Sequence, residues 1–312
     1  MATAHPAHRA LPKGRFLSWL HDDEMARWGT NPDDMDPKLV SDTVRRLRPL
    51  FADKRAYFRT TVRGWENMPE TPSLVVANHS GGTSIPDAWG LGVSWYRHFG
   101  MDRPLHGLAH EMVFALRSTA VPFARLGLLR ANRQMALDVL TKYKRDLMVM
   151  PGGDLDTWRP WRDRYKVCFS GRKGYARLAL KAGVPIVPIA HAGAHDTLIV
   201  LTDGRRIARK LNFHELFRAE IFPIHLSLPY GLGIGPFPHL PPPVRLRYRI
   251  GKPVHPPAVV PPGQEPTDAQ VDAFDAAVRA ALQHELDILR DEDRGMRRSV
   301  RAALGKLRRA AA

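Results

Sequence analysis

Short apolar runs alternate with amphipathic stretches along the middle of this chain. Residues 73–77, 147–150 and 185–189 are apolar runs bounded by turn-forming residues. We predict that they are buried strands, because a strand covered by helices on both faces is apolar throughout. The amphipathic stretches at 135–143 and 175–181 predict helices between them. This order is typical of an α/β sheet with crossover helices.

The segments on either side extend this pattern. Residues 58–64 and 244–250 alternate between apolar and polar positions and predict two more strands, and residues 112–116 predict a third. Residues 222–243 are rich in glycine, proline and apolar residues. Prolines exclude a long regular helix, so we expect an irregular segment packed over the core. Its apolar character leaves open a second role, as a membrane-facing or acyl-lining lip.

Both ends of the chain carry helix signals. Asp36-Pro37 places an N-cap before a proline at the first helical position, and apolar residues between 39 and 47 share one face. Residues 267–270 form a capping box before an apolar stripe, and a basic amphipathic segment follows Gly295. The predicted fold class is α/β, with a mixed sheet flanked by helices, an N-terminal helical portion and a C-terminal helical extension. The predicted boundaries are 1–57, 58–260 and 261–312.

The most informative polar residues follow the first buried strand. They are Asn78, His79, Gly81 and Gly82, and they stand at a strand's carboxyl end, where α/β sheets place their sites. A histidine with a downstream acid is the minimum for a general base with an orienting partner, and Asp87 supplies that acid. The spacing requires the intervening loop to bulge if the two side chains are to meet.

A second polar turn follows the predicted strand at 147–150. It consists of Pro151, Gly152 and Gly153, with Asp156 close behind. Because both turns follow strands of one predicted sheet, we expect them to lie at the same edge. Backbone N–H groups beside paired glycines are suitable donors to an oxyanion or a phosphate, since glycine permits close approach.

Four motifs in this order resemble those of the PlsC-like glycerolipid (lysophospholipid) acyltransferases, and most closely their diacylglycerol-acyltransferase-like branch. The resemblance runs from about residue 58 to residue 189. Two positions depart from the pattern: Ser84 stands where the best-known members have the acid, and Asp156 is one methylene shorter than the usual glutamate. The motifs are Asn78-His79 with Asp87, Gly127 to Arg133, Pro151-Gly152-Gly153 with Asp156, and residues 184–189.

The resemblance implies transfer of a fatty acyl group from acyl-CoA or acyl carrier protein to a lipid hydroxyl, such as that of a lysophospholipid or diacylglycerol, with no other cofactor. His79 would take the proton of the attacking hydroxyl, and Asp87 would hold the imidazole. Arg133, Arg172 and Lys173 are candidate binders of an anionic part of a substrate. The other substrate-binding candidates are Asn78, Gly81, Gly82, Pro151, Gly152, Gly153 and Asp156.

Composition and charge restrict the partners. The chain has 312 residues, 44% of them hydrophobic, which suffices for one large core. Lys and Arg number 47 against 31 Asp and Glu, a formal net charge of +16. Such an excess attracts polyanions. Because no nucleic-acid-binding module accompanies it, we expect an anionic membrane surface and no nucleic acid as partner. A basic protein without any polyanionic partner stays open.

Cys168 is the single cysteine, so the chain forms no intramolecular disulfide, and we expect it to be a small buried hydrophobe. The sequence contains no apolar run as long as a membrane span, and its first residues lack an apolar signal core. We therefore expect a cytoplasmic protein, peripheral to the inner face of the plasma membrane.

Two other function classes stay open. His191, His195 and Asp196 follow the strand predicted at 185–189, and such residues in a metal site would make the chain a metal-dependent hydrolase. Gly193 opposes the helix that would put both imidazoles on one side, so we predict no metal. The third class is a non-catalytic protein that binds anionic lipid.

Overall fold

The computed structural model describes residues 27–52, 55–210, 221–257 and 264–310, with side chains described up to residue 295. The strands are β1 (Thr61–Arg63), β2 (Leu74–Ala77), β3 (Leu105–Ala109), β4 (Leu128–Arg130), β5 (Asp146–Val149), β6 (Ile186–Ala192), β7 (Ile199–Thr202), β8 (Ile224–Ser227), β9 (Gly231–Ile234) and β10 (Arg247–Ile250). The α-helices are α1 (Pro37–Phe51), α2 (Pro86–Phe99), α3 (Arg117–Arg125), α4 (Arg133–Thr141), α5 (Gly153–Thr157), α6 (Gly174–Ala182), α7 (Arg205–Lys210) and α8 (Asp268–Ala310).

Seven strands form one sheet in the order β1-β10-β6-β2-β5-β3-β4. Strand β10 runs antiparallel to β6, and the other neighbouring pairs are parallel. The predicted mixed α/β fold is therefore confirmed. Because β2 and β5 are parallel neighbours, the turns that follow them open at the same edge of the sheet.

The core lies on both faces of this sheet, and β2 shows how its sequence serves both. Leu74 and Val76 belong to the cluster that includes residues of α4, α6 and α8, whereas Val75 and Ala77 belong to the cluster that includes residues of α1 and α2. All four side chains are buried. Successive side chains of a strand point to opposite faces, so a strand covered twice must be apolar at every position.

The C-terminal extension is one long helix. Thr267 and Gln270 form the predicted capping box, in which the Thr267 N–H donates to Gln270 Oε1 (2.8 Å) and the Gln270 N–H to Thr267 Oγ1 (3.3 Å). The helix continues past Gly295, and the side chains of the basic segment lie outside the described residues. The apolar stripe is buried and consists of Val271, Phe274, Val278, Leu282, Leu286 and Leu289.

Three sequence predictions about local structure are wrong. Residues 112–116 are not a strand but lie around a 3-10 turn, Glu111–Phe114, after β3. Residues 222–243 are not irregular throughout, because β8 and β9 lie between the prolines and pair with β7 in a second, antiparallel sheet. Cys168 is half-buried, with its sulfur 3.8 Å from Ser170 Oγ.

Two further points concern the ends and the boundaries. The lead-in up to residue 26 and the predicted boundary near residue 260 lie outside the described residues. Within the described ranges, no helix has both the length and the apolar content needed to cross a membrane.

Candidate active site

Strand β2 places Asn78 and His79 at the carboxyl edge of the sheet. Asn78 is buried, and its amide pairs with the backbone of His191 on β6: Nδ2 donates to the carbonyl (3.0 Å) and Oδ1 accepts the N–H (2.9 Å). A side-chain amide that satisfies both groups of a neighbouring strand extends the sheet by one residue. Asn78 thus fixes the point at which His79 leaves the sheet.

The loop after His79 bulges as its spacing required. Gly81 and Gly82 have φ angles of 101° and 61°, and Ile85 also has a positive φ of 37°. A Cβ at Gly81 would lie only 2.6 Å from Pro86 Cδ, so a larger residue would collide with the start of α2. This tight reversal brings Asp87, in the first turn of α2, back to the histidine.

His79 and Asp87 are in direct contact. The distance from His79 Nδ1 to Asp87 Oδ2 is 2.6 Å, and the same oxygen accepts the N–H of Ser80 (2.9 Å). Tyr248 donates its hydroxyl to the backbone carbonyl of Asp87 (2.7 Å). Within the described residues His79 Nε2 has no hydrogen-bond partner, so this nitrogen is the one left to exchange a proton with a substrate.

Burial and charge act in opposite directions on this pair. Burial disfavours the imidazolium, but attraction to Asp87 outweighs burial and raises the pKa of His79 above its usual value. Burial also opposes ionisation of Asp87, and the neighbouring His79 outweighs it and lowers the pKa of the carboxyl group. The pair therefore favours an ionised Asp87 beside a histidine of enhanced basicity.

A second carboxylate reaches the same histidine from the turn after β5. Asp156 Oδ2 accepts the backbone N–H of His79 (2.7 Å), and Oδ1 forms an ion pair with Arg159 Nη2 at 2.8 Å. Burial raises the pKa of Asp156, and the charge of Arg159 opposes that rise. Asp156 was predicted to bind substrate; in the structure it holds the backbone of His79.

Sequence reasoning missed Arg159. Its side chain is 3% exposed, and its guanidinium has no hydrogen-bond partner among the described residues, although it is ion-paired with Asp156. Buried arginines are rare unless paired, but the surrounding stretch also contains Asp156, Arg162 and Asp163, so nothing in the sequence distinguishes Arg159 from its charged neighbours.

The proposed metal residues do not converge. His191 Nε2 lies 2.7 Å from Ser80 Oγ and 3.5 Å from Asp87 Oδ2, whereas Asp196 accepts from the indole of Trp161 (3.3 Å). Burial lowers the pKa of His191 to about 4, so its ring is neutral at pH 7. In the described part of the chain, no group of three or more His, Cys, Asp or Glu side chains is arranged to hold a metal ion.

The glycine turn after β5 is packed tightly. A Cβ at Gly152 would lie 2.2 Å from Asp156 Cβ, which explains the need for glycine there. Arg172 donates to the carbonyls of Gly152 (2.9 Å) and Pro151 (3.4 Å). Gly153 has a φ of 54° and donates its N–H to the Met150 carbonyl (3.1 Å). Arg172, predicted to bind an anion, thus stabilises this turn by hydrogen bonds to its carbonyls.

The remaining two basic candidates point elsewhere. Lys173 Nζ lies 2.7 Å from Asp272 on α8. Arg133 is exposed in the first turn of α4, where its charge adds to that of Lys181 in lowering the pKa of Glu265. The structure shows neither residue in contact with His79, whereas Asn78, Asp87 and Asp156 all converge on the histidine or its strand end.

Part of the segment 222–243, for which the sequence left open a role as a membrane-facing or acyl-lining lip, borders the His79 loop. Ser84 Oγ donates to the carbonyl of His239 (3.0 Å), and Thr83 Oγ1 donates to that of Phe237 (3.3 Å). A Cβ at Gly82 would lie 2.9 Å from the ring of His239 and 3.2 Å from Trp158. Residues 237–239 therefore form one side of the site.

The segment that carries this site matches a known family. Residues 59–192 match the family model described as Acyltransferase. This match confirms, for these residues, the resemblance to PlsC-like acyltransferases inferred from the motifs.

Individual proteins are also similar to this chain. An uncharacterized protein of Mycobacterium tuberculosis is 32% identical over 225 residues, which are 70% of this chain and 58% of that protein. The "DGAT1/2-independent enzyme synthesizing storage lipids" of Gallus gallus is 27% identical over 231 residues, 73% of this chain and 59% of that enzyme. The chain thus spans less than two thirds of the length of these relatives.

One solved structure is similar to this chain at low sequence identity. The crystal structure of the 1-acyl-sn-glycerophosphate (LPA) acyltransferase PlsC from Thermotoga maritima superposes with a TM-score of 0.44 at 18% identity, covering 80% of this chain and 77% of that one.

Proposed function

We propose that this chain transfers a fatty acyl group from an acyl thioester to a lipid hydroxyl, with His79 as general base. The observation that supports this most is the 2.6 Å contact between His79 and a buried Asp87 at the carboxyl edge of the sheet, within the segment that matches the acyltransferase family. A neutral imidazole with one nitrogen held by a carboxylate and the other open is suited to deprotonate a hydroxyl. The donor is acyl-CoA or acyl carrier protein, and the acceptor is a lysophospholipid, a diacylglycerol or another long-chain alcohol.

The reaction needs no enzyme nucleophile. As the acceptor oxygen bonds to the thioester carbonyl carbon, its proton passes to His79 Nε2. The tetrahedral intermediate then collapses, the C–S bond breaks, and the thiolate takes the proton from the imidazolium. Asp87 stabilises the imidazolium between these steps and holds the ring in one tautomer.

The developing oxyanion requires donors close to His79. The N–H of Gly153, a donor suggested by the sequence, already bonds to Met150. We therefore expect the oxyanion donors among the backbone N–H groups of the loop that follows His79, because these lie closest to the base.

A lipid acceptor places the enzyme at a membrane. We propose that the chain is cytoplasmic and binds peripherally to the inner face of the plasma membrane. Its net charge of +16 supports an anionic surface as partner, and no nucleic-acid partner is proposed.

A direct assay tests this function. Labelled acyl-CoA and acyl carrier protein are offered with lysophospholipids, diacylglycerol and long-chain alcohols, and products are identified by mass. We expect His79→Ala to lower turnover by about two to four orders of magnitude, whereas His98→Ala, at an exposed histidine of α2, leaves it unchanged. Near-wild-type turnover by a folded His79→Ala protein contradicts the proposal. Vesicle binding without any transfer would favour the non-catalytic lipid-binding class.

A further inference from the structure

The small second sheet turns its apolar side outward. In β7 and β8 the buried positions include Val200, His225 and Ser227. The alternate positions carry large aliphatic side chains that are exposed, as at Ile199 and Leu226. An antiparallel sheet with one face in water normally shows the reverse, with apolar residues inside and polar residues outside. This inversion indicates that something other than water covers the outer face.

Strand register joins these side chains into one surface. Leu226 lies opposite Ile199 on one side and Leu232 on the other, and Ile224 lies opposite Ile234. Because residues directly opposite each other project from the same side of a sheet, the rows are continuous across the strands. Further exposed apolar residues follow in the next segment. We use the name apolar face for the nine residues that form this surface, each between 41% and 64% exposed: Ile199, Leu201, Leu226, Leu228, Tyr230, Leu232, Ile234, Phe237 and Leu240.

The apolar face adjoins the candidate active site. Its last members, Phe237 and Leu240, flank His239, and the backbone of this segment accepts hydrogen bonds from Thr83 and Ser84 in the His79 loop. A molecule that contacts the apolar face therefore reaches the same edge of the sheet as His79. Monomeric soluble proteins rarely expose an apolar patch of this extent without a partner.

Positive charge borders the apolar face. Helix α7 begins three residues after β7 and has exposed cationic residues and no acidic one, with Ile207 38% exposed between them. Such a rim complements anionic lipid headgroups. A second copy docked on the same face would bring the two basic rims together, because a two-fold interface uses the same patch twice. The exposed cationic residues are Arg205, Arg206, Arg209 and Lys210.

We propose that the apolar face inserts shallowly into an anionic bilayer, with α7 among the headgroups, so that a lipid acceptor reaches His79 without leaving the membrane. Insertion follows from the inverted sheet and its basic rim. Delivery of the acceptor rests additionally on the proposed acyltransferase function. The occupant is thus a lipid surface, and the segment contacting it is separate from the basic C-terminal tail.

Matched triple variants test the insertion. Leu226→Ser/Leu232→Ser/Ile234→Ser removes three apolar side chains that are 41%, 60% and 51% exposed. We expect sedimentation with vesicles of phosphatidylglycerol and phosphatidylcholine in equal parts to weaken by about tenfold or more, because each leucine or isoleucine loses its transfer into hydrocarbon. The control variant is Leu50→Ser/Met112→Ser/Leu116→Ser, whose side chains are 40%, 59% and 49% exposed outside this sheet. We expect it to bind vesicles as the wild type does.

Two acceptors separate this proposal from the proposed function. With a vesicle-embedded acceptor, the apolar-face variant should lose activity in proportion to its lost binding; with a soluble short-chain acceptor, it should retain wild-type turnover. Unchanged vesicle binding by the folded variant overturns the insertion and leaves the acyltransferase proposal standing. If the wild type transfers no acyl group to either acceptor, the proposed function is overturned. The vesicle-binding measurement then decides the insertion by itself.

A probe placed on the face gives an independent measurement. In a Cys168→Ser background, a polarity-sensitive fluorophore is attached at Leu232→Cys and, separately, at Leu50→Cys. We expect a blue shift on adding the vesicles at position 232 only. No shift at 232, or equal shifts at both positions, contradicts insertion of this face. A wild-type dimer that becomes monomeric in the apolar-face variant, with vesicle binding unchanged, would assign the face to self-association instead.

Discussion

Three polar contacts define the chemistry of His79 at the scale of single residues. Asp87 holds its Nδ1, Asp156 holds its backbone N–H, and Ser80 links the same loop to the neutral His191. Only the first of these contacts touches the imidazole. Asp87 therefore contributes most to the raised pKa of the ring, the charge of Asp156 adds to it, and Ser80 acts by positioning the loop.

The first prediction concerns Asp87→Asn. Attraction to the carboxylate raises the pKa of His79, so removing the charge lowers that pKa. Since the base must be neutral, the acidic limb of the rate profile moves to lower pH, while the maximal rate falls by about tenfold to a hundredfold through the lost support of the imidazolium. Turnover measured from pH 5 to 9 checks both effects. An unshifted limb would show that Asp87 does not face the catalytic base.

The second prediction concerns the buried ion pair of Asp156 and Arg159. Both side chains are almost fully buried, 0% and 3% exposed. Removing one partner leaves an uncompensated charge, so Arg159→Ala should lower the free energy of unfolding by about 3 to 5 kcal/mol. The double variant Asp156→Asn/Arg159→Ala should recover part of that loss, because no buried charge is left unpaired. Urea unfolding of the wild type, Asp156→Asn, Arg159→Ala and the double variant measures the coupling, and additive losses would contradict the pairing.

At the scale of elements, the turn between β2 and α2 decides whether the site forms. The third prediction is that Gly81→Ala impairs both activity and stability, because φ is 101° and the added Cβ would meet Pro86 at 2.6 Å. We expect a loss of about 1 to 3 kcal/mol in the free energy of unfolding. Gly92 on α2 is the matched control: a Cβ there meets nothing within 4 Å. Gly92→Ala should be neutral or stabilising by up to about 1 kcal/mol, because alanine favours helix.

Helix α8 combines a buried part with a basic end. Its buried apolar stripe reaches Leu289 within the described side chains, and a truncation that removes residues 296–312 retains this stripe. The fourth prediction is that this truncation weakens binding to anionic vesicles in low salt, since each Lys or Arg near such a surface contributes about 1 kcal/mol. Activity on membrane-embedded acceptors should fall more than activity on soluble ones. Equal sedimentation of the truncated and full-length proteins would leave the apolar face as the membrane contact.

At the scale of the whole molecule, buried histidines make stability depend on pH. Burial lowers the pKa of His106 and of His191 to about 4. Between that value and the unfolded pKa near 6.5, the unfolded chain binds protons that the folded chain excludes, so stability is full above pH 6.5 and falls as the pH drops towards 4. His79 acts in the opposite sense: its raised pKa adds stability below pH 6.5 that is lost as the pH rises through the folded pKa.

The fifth prediction isolates one of these groups. In wild type, His106 alone should contribute a loss of about 2 kcal/mol in the free energy of unfolding between pH 6.5 and 5. His106→Gln removes that contribution and flattens the pH dependence, whereas His98→Gln, at an exposed position, leaves it unchanged. Urea unfolding at both pH values provides the measurement. An identical slope in wild type and His106→Gln would contradict a buried neutral histidine.

The sequence by itself determined strands β2, β5 and β6, helices α4 and α6 and the strand-end position of His79, whereas it did not predict β3, β4 or α2. A strand that is buried on both faces must be apolar at every position, and such a run can be recognised from consecutive residues, as in residues 74–77. The sequence motifs also indicated the resemblance to acyltransferases, which is confirmed for residues 59–192. The catalytic and binding roles assigned to individual residues stay predictions, as do the domain boundaries.

Only the tertiary structure decided which partners these residues meet. Asp156 and Arg172 were both predicted to bind substrate, yet Asp156 accepts the backbone N–H of His79 and Arg172 donates to the carbonyls of the glycine turn. Sequence spacing shows which residues follow a strand but not where their side chains reach after the chain reverses. The sequence left the role of residues 222–243 open for a related reason: alternation gives the period of a strand, and only packing against the rest of the molecule shows which side is covered.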